Sequence, residues 1–239
     1  KIIRSLYSTK EAEGLILDIT KDNQNITSSE SIFNKKYSFI VMLAFLIAAF
    51  NQLSGINAFL YYAPRIFEEA GLGESIALLN SIGIGLTNVI FTYVGINLID
   101  RLGRRTLMYI GSFGYIVSLS LISISFFLEW EGIFLPLFFF LFIASHAIGQ
   151  GAIIWVYISE IFPNNIRSYG QSFGVSTHWI LAAIIPSFIP FLFGFIGPGF
   201  VFSFFALMMV FQLLFVHFIM PETKGISLED LSKKLIKIE

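Results

Sequence analysis

The sequence predicts an all-α fold, a polytopic membrane protein of six transmembrane helices, and three observations predict it. The chain has 239 residues, of which 56% are hydrophobic and only 13% charged, with a mean hydropathy of +0.78. An ordinary soluble domain carries about a quarter charged residues. Residues 38–64, 75–99, 106–128, 132–159 and 168–220 contain no Asp, Glu, Lys or Arg, and a helix needs about 20 apolar residues to cross the hydrocarbon core. Finally, the basic residues gather on one side of those stretches, as the insertion bias of Lys and Arg requires.

Residues 1–37 are polar and read as a cytoplasmic segment. Ala12, Leu15, Ile16 and Ile19 there form the stripe of a short helix, and 21–37 a linker rich in Asn, Ser and Lys. Lys1 is not an initiator methionine, and the expectation is a chain trimmed from something longer. The first four spans are expected at 38–64, 75–99, 106–128 and 132–158. Pro64 is expected to end the first of them by removing a backbone donor. The last charge-free stretch is too long for one crossing, and Gly194, Gly197, Pro198 and Gly199 divide it into 172–193 and 199–220. Residues 221–239 form a C-terminal tail, where Leu228, Leu231, Leu235 and Ile238 recur at helical spacing behind a Ser227–Asp230 capping box.

Orientation follows from charge. One side carries Lys1, Arg4, Lys10, Lys21, Lys35 and Lys36, then Arg101, Arg104 and Arg105, then Arg167 and the lysines of the tail. The other side has Arg65 alone, amid Glu68, Glu69, Glu74, Glu129 and Glu131. Both ends are therefore expected in the cytoplasm, with the lipid bilayer as the surrounding partner. A net charge of −1 without a compact basic patch gives no reason to expect nucleic acid. The absence of cysteine excludes disulfides and thiolate chemistry. His146, His178 and His217 lack a metal-ligand spacing, and no nucleophile–base pair stands among the spans. Neither a cofactor nor an enzyme activity is expected.

Polar side chains within spans are costly unless they pair or face a cavity. The first span holds Asn51, Gln52, Ser54 and Asn57 around Gly55, followed by Tyr61 and Tyr62. Gln52 and Asn57 are about 140° apart on a regular helix, so a local unwinding at Ser54–Gly55 would be needed for both to face one cavity. Interrupted helices build the binding sites of many transporters; helix–helix hydrogen bonding needs only one or two such residues. Asn88 and Thr92 share a face of the second span, and either packing or ligand contact accounts for them. The fourth span carries Ser145, His146, Gly149, Gln150 and Gly151, then Trp155; the fifth carries Thr177, His178 and Trp179. Trp130, in an outside loop, fits an interfacial anchor. Amides that both donate and accept, beside indole faces and without a deep charge, suit a neutral polyol.

These residues resemble the sugar porter family of the major facilitator superfamily. Asn51-Gln52-Leu53-Ser54-Gly55-Ile56-Asn57 with Tyr61-Tyr62 is similar to the family's seventh-helix motif. Asp100-Arg101-Leu102-Gly103-Arg104-Arg105 is similar to the loop after the eighth helix. Trp155, Ser159-Glu160-Ile161-Phe162-Pro163 and Arg167 resemble the end of the tenth helix, and Pro221-Glu222-Thr223-Lys224-Gly225 the signature after the twelfth. The resemblance implies the C-terminal six-helix bundle of a transporter that moves a monosaccharide by alternating access, with an N-terminal six-helix half as partner and protons as a candidate co-substrate. It implies sugar contacts at Gln52, Asn57, Asn88 and Trp155, with Trp179 lining the cavity and Asn51 and His178 at the same site. It further implies an outer gate at Tyr61 and Tyr62, and a cytoplasmic salt-bridge network of Asp100, Arg104, Arg105, Glu160 and Arg167. A non-transporting sugar sensor on the same fold is the alternative, which the short tail after Gly225 disfavours. Asn51 replaces a usual glutamine, Gly149-Gln150-Gly151-Ala152 lacks the usual prolines, and His178 stands where an amide is usual. His178 is expected either to contact the sugar, making affinity pH-dependent, or to bond a neighbouring helix while neutral.

Overall fold

The computed structural model describes residues 13–14, 30–69, 71–130 and 134–236, and every regular element among them is helical. The stripe at Ala12, Leu15, Ile16 and Ile19, most of the 1–37 linker, and Ile238 lie outside the described residues. Among the described residues six helices are long and apolar enough to cross a membrane: Lys35–Glu69, Glu74–Leu102, Arg104–Phe127, Phe134–Ile161, Arg167–Ile196 and Pro198–Phe218.

The first span is two helices, α1 (Ser38–Leu53) and α2 (Ile56–Glu69), separated at Ser54–Gly55. Gly55 has φ of 79°, a left-handed conformation that costs a Cβ-bearing residue. The expectation that Pro64 ends this helix is corrected: Pro64 lies inside α2, which runs to Glu69. Only one ladder bond is lost there, and Ala63, Ile66 and Phe67, all buried, hold the last turns against the core.

The second and third spans are α3 (Glu74–Leu102) and α4 (Arg104–Phe127), turned at Gly103. The fourth is not one regular helix. It runs as α5 (Phe134–His146), a π-helical turn at Ala147–Gly151, and α6 (Ala152–Ile161). The fifth, α7 (Arg167–Ile196), passes straight through Gly194 and contains Pro186 and Pro190. The break falls instead at Gly197, with φ of 83°, and Pro198 opens α8 (Pro198–Phe218), the first-turn position where a missing N–H costs nothing. In the tail, α9 (Leu228–Leu235) starts where Ser227 Oγ accepts from Asp230 N, and Leu231 and Leu235 are buried.

Two apolar cores hold the bundle. At the basic end, Leu43, Ile47, Leu107, Ile153, Tyr157 and Val216 pack with Leu231 and Leu235 of α9. Towards the acidic end the core is aromatic: Phe59 stacks on Phe139 with centroids 4.2 Å apart, and Phe67 meets the same ring edge-on at 5.4 Å. Between them α4 and the π turn cross at small residues, where a Cβ on Gly111 would lie 2.8 Å from the Cα of Gly149. Beside this crossing Gln150 donates to Gln212 Oε1, Gln212 Nε2 donates to Ser112 Oγ at 2.7 Å, and Ser112 donates to Met108 O at 2.7 Å. That chain ties the fourth, sixth and third spans through fully buried side chains. The spans are unequal: the apolar window of the first is 61% buried within the chain, those of the second and fifth only 17%.

The close crossing makes a prediction. Gly149→Ala places a Cβ against the Gly111 backbone and should destabilise the bundle by about 1–3 kcal/mol, the usual cost of overpacking. Gly194→Ala meets nothing within 4 Å and should be neutral. Melting temperatures of the purified proteins in detergent test this, and equal values for the two variants would contradict the crossing.

Candidate binding site

At Ser54–Gly55 the first span loses its regular ladder, and the local side chains repair it. Ser54 Oγ donates to Asn51 O at 2.6 Å and accepts from Ile56 N at 3.3 Å, so the freed backbone groups find partners inside the protein, as hydrocarbon requires. A Cβ on Gly55 would lie 2.5 Å from the Phe205 ring, so the break is fixed by packing as well as by φ.

The break brings Gln52 and Asn57 together. Asn57 Nδ2 donates to Gln52 Oε1 at 3.0 Å, and Gln52 Nε2 donates to Asn51 Oδ1 at 3.0 Å. Gln52 Nε2 also lies 3.1 Å from Nδ1 and 3.2 Å from Nε2 of His178 on α7. Asn51, Gln52 and His178 are all buried. Gln52, on a neighbouring helix, is therefore in contact with the His178 ring. The imidazole lies between two indoles, with ring centroids 4.9 Å from Trp155 and 5.1 Å from Trp179. Those indoles are 41% and 56% exposed, so the buried cluster is flanked by two exposed aromatic side chains.

The other expected residues are not all drawn in. Asn88 bonds only to Thr92 of its own helix, at 3.5 Å, among the described residues. Tyr61 is exposed, while Tyr62 packs against the aromatic core. His146 bonds Tyr115 through Nδ1 at 2.5 Å.

The charged cluster at the basic end differs from the expected network. Arg104 holds Glu160 through two contacts, Nη2–Oε1 at 2.7 Å and Nε–Oε2 at 3.2 Å, and holds Asp100 at 3.0 Å. Arg105 and Arg167 make no ion pair among the described residues, and the expectation is corrected for both. Arg105 donates to Val216 O and His217 O at the end of α8, carbonyls that a helix terminus leaves without partners. Arg167 Nε donates to Phe162 O at 3.1 Å, across the turn that begins α7. Two residues with no role in the sequence reading complete the cluster. Glu222 accepts from Arg104 N and Arg105 N, each at 3.0 Å, capping α4, and Thr223 Oγ1 donates to Glu160 Oε2 at 2.7 Å. The motif Pro221–Gly225 was the available signal; which charge it would meet was not.

Known proteins match this arrangement. The profile of the family described as "Sugar (and other) transporter" matches residues 6–235. The arabinose-proton symporter of Bacillus subtilis is 35% identical over 217 residues, covering 90% of this chain and 46% of that protein. The glucose facilitated diffusion protein of Zymomonas mobilis is 34% identical over 201 residues, covering 81% of this chain and 42% of its own length. Among solved structures, the proton:xylose symporter XylE bound to 6-bromo-6-deoxy-D-glucose superposes with a TM-score of 0.84 at 28% identity, over 98% of this chain and 50% of that one. The chain thus spans about half the length of the curated relatives it matches. With helices, motifs and sequence in agreement along nearly all of its length, it belongs to the sugar porter family of the major facilitator superfamily.

Proposed function

We propose that this chain supplies the C-terminal six-helix bundle of a transporter that carries a monosaccharide across the cell membrane by alternating access. One observation carries the reading: a charge-free cluster of Asn51, Gln52, Asn57 and His178 at a helix break, flanked by Trp155 and Trp179. A sugar needs many hydrogen bonds in both directions, which amides provide, and its C–H faces pack on indoles. These six residues form the binding wall in this reading, with Asn88 added from the second span. Tyr61 and Tyr62 form the outer gate. The little-buried second and fifth spans are the surfaces on which an N-terminal bundle packs, and both ends of the chain face the cytoplasm.

The Arg104–Glu160–Asp100 cluster, with Glu222 and Thr223, acts as a clamp at the cytoplasmic end and biases the two access states. Single wet ion pairs contribute little. Here the side chains of Arg104 and Glu160 are only 10% and 20% exposed, so the pair is shielded. Relatives include both a proton symporter and a facilitated diffusion protein. The charge-free stretches of this bundle offer no carboxylate at mid-span, so a coupling proton would be held by the partner bundle.

Uptake of labelled D-xylose, L-arabinose and D-glucose by transport-deficient cells carrying this bundle with its N-terminal partner tests the proposal. Failure to accumulate or exchange any of them would overturn it. Within it, Gln52→Ala or Asn57→Ala removes hydrogen bonds worth about 0.5–1.5 kcal/mol each. Affinity should fall roughly twofold to tenfold at unchanged expression, and unaltered affinity for all three sugars in both variants would refute the site. Glu160→Gln leaves Arg104 without its main partner, a change that costs about 3–5 kcal/mol for a fully buried pair and less here. Transport rate should drop while equilibrium sugar binding persists; a normal rate would remove the clamp from the mechanism.

A further inference from the structure

His146 takes no part in the amide cluster, yet it is polar, half-buried and deep within a charge-free span. Its Nδ1 shares a hydrogen bond of 2.5 Å with the hydroxyl of Tyr115 on α4, a side chain with no exposed surface. That bond anchors the ring and leaves Nε2 as the nitrogen available to another partner. Nε2 makes no hydrogen bond among the described residues. Nor is it one of the buried polar atoms without a partner, which among those residues are Gln150 Oε1 and Arg167 Nη2. It therefore reaches the surface of the bundle.

The π turn decides which surface. Trp155 follows His146 by nine residues, and nine steps of about 100° on an unbroken α-helix would put the two on opposite faces. The turn at Ala147–Gly151 is π-helical, so it takes up one residue more than an α turn and sets α6 back by about 100°. The result shows at Gly151, where an added Cβ would lie 3.2 Å from His146 Nε2 and 3.3 Å from its Cδ2. Gly151 thus stands beside the outer edge of the imidazole, and Trp155 lies one α turn further along the same side. Trp155 meets the His178 ring at 4.9 Å between centroids, and His178 is in contact with Gln52. His146 Nε2, the exposed indole and the amide cluster border one region. A side chain at position 151 would lie against Nε2 and cover it.

We propose that His146 is a further sugar contact and a determinant of which sugar is accepted, with Nδ1 held by Tyr115 and Nε2 hydrogen-bonded to one hydroxyl of the ligand. This rests on the binding wall proposed above. A hydroxyl both donates and accepts, so it pairs with Nε2 in either tautomer of the neutral ring, donating to the lone pair or accepting from the N–H. Selectivity follows, because a site built to bond a hydroxyl disfavours the analogue that lacks it and leaves the site's polar group unpaired. A histidine kept only to satisfy Tyr115 needs neither an open Nε2 nor a glycine beside it.

The test is competition binding to membranes containing the bundle with its N-terminal partner. Labelled D-xylose, L-arabinose or D-glucose is displaced by the unlabelled sugar and by each of its monodeoxy derivatives. In the wild type, removing the hydroxyl that meets Nε2 should weaken binding about twofold to tenfold, the usual worth of one hydrogen bond. In His146→Phe, which keeps an aromatic ring beside Gly151, the loss at that one position should shrink by about twofold or more, while losses at the other positions stay as in the wild type. His146→Phe strands the buried Tyr115 hydroxyl. Combining it with Tyr115→Phe removes both partners, which spares the fold, and should give the same selective pattern. A structural role alone lowers affinity for the sugar and all its derivatives by one factor and leaves every ratio unchanged. Unchanged ratios at every position in both variants overturn this inference and leave the transport reading intact. Binding of none of the sugars by the wild type overturns both.

Discussion

The short interruption at Gly55 is the constraint on which the rest of the site depends. Within hydrocarbon no water is available to satisfy a broken helix, and each orphaned backbone group costs several kcal/mol, on the order of a desolvated amide. At the open ladder Ser54 Oγ serves both an upstream carbonyl and a downstream N–H, while Gly55 N donates to Gln52 O. Gly55 supplies the left-handed turn, and the Phe205 ring fills the space a side chain would need. With the ladder intact, Gln52 and Asn57 would face different directions. With it broken they share a hydrogen bond, and every other feature of the site is arranged around that pair.

The same economy of small residues operates between the spans. Gly111 and Gly149 let α4 and the π turn approach backbone to backbone, which lipid-embedded helices need because their side chains gain little from leaving an equally apolar solvent. A π turn widens the helix by one residue and commonly marks a functional position. Here it leads directly into α6, the helix that carries Trp155 to one side of His178 and Glu160 to the Arg104 ion pair at the basic end. One irregular span thus links the amide cluster to the Arg104 pair through a continuous short helix. Glycine and the Gln150–Gln212–Ser112 chain supply the irregularity that proline would otherwise provide.

Much of this was legible in the sequence, and the remainder has physical reasons. Spans were readable because charge exclusion is a coarse, additive property of about twenty residues at a time. The need for a break at Ser54–Gly55 was readable from the angular mismatch of Gln52 and Asn57. Helix ends were harder. Pro64 and Gly194 look like terminators locally, but α2 and α7 run past both, α2 with Ala63, Ile66 and Phe67 buried against the core. The π turn leaves no periodicity signature, and the Gly111 backbone it approaches lies on another helix. Ion-pair partners were misread for Arg105 and Arg167 because spacing cannot say that α8 ends beside one and the Phe162 carbonyl beside the other. Glu222 was invisible for the same reason: its role is to cap α4, more than a hundred residues earlier in the chain.

The distribution of charge completes the argument about ligand chemistry. Arg104, Glu160, Asp100 and Glu222 are held at one end, where their cost is shared with water and with backbone caps. The interior retains amides, hydroxyls and imidazole, groups that can exchange donor and acceptor roles without a change of charge. Such a set of groups suits a neutral polar ligand, because it leaves no uncompensated ion. A charged substrate would need a counter-ion that this bundle does not place there. Amides in the middle and ions at the end thus follow one rule: neutral hydrogen-bonding groups stand where the dielectric is low, and charges stand where water and backbone caps share their cost.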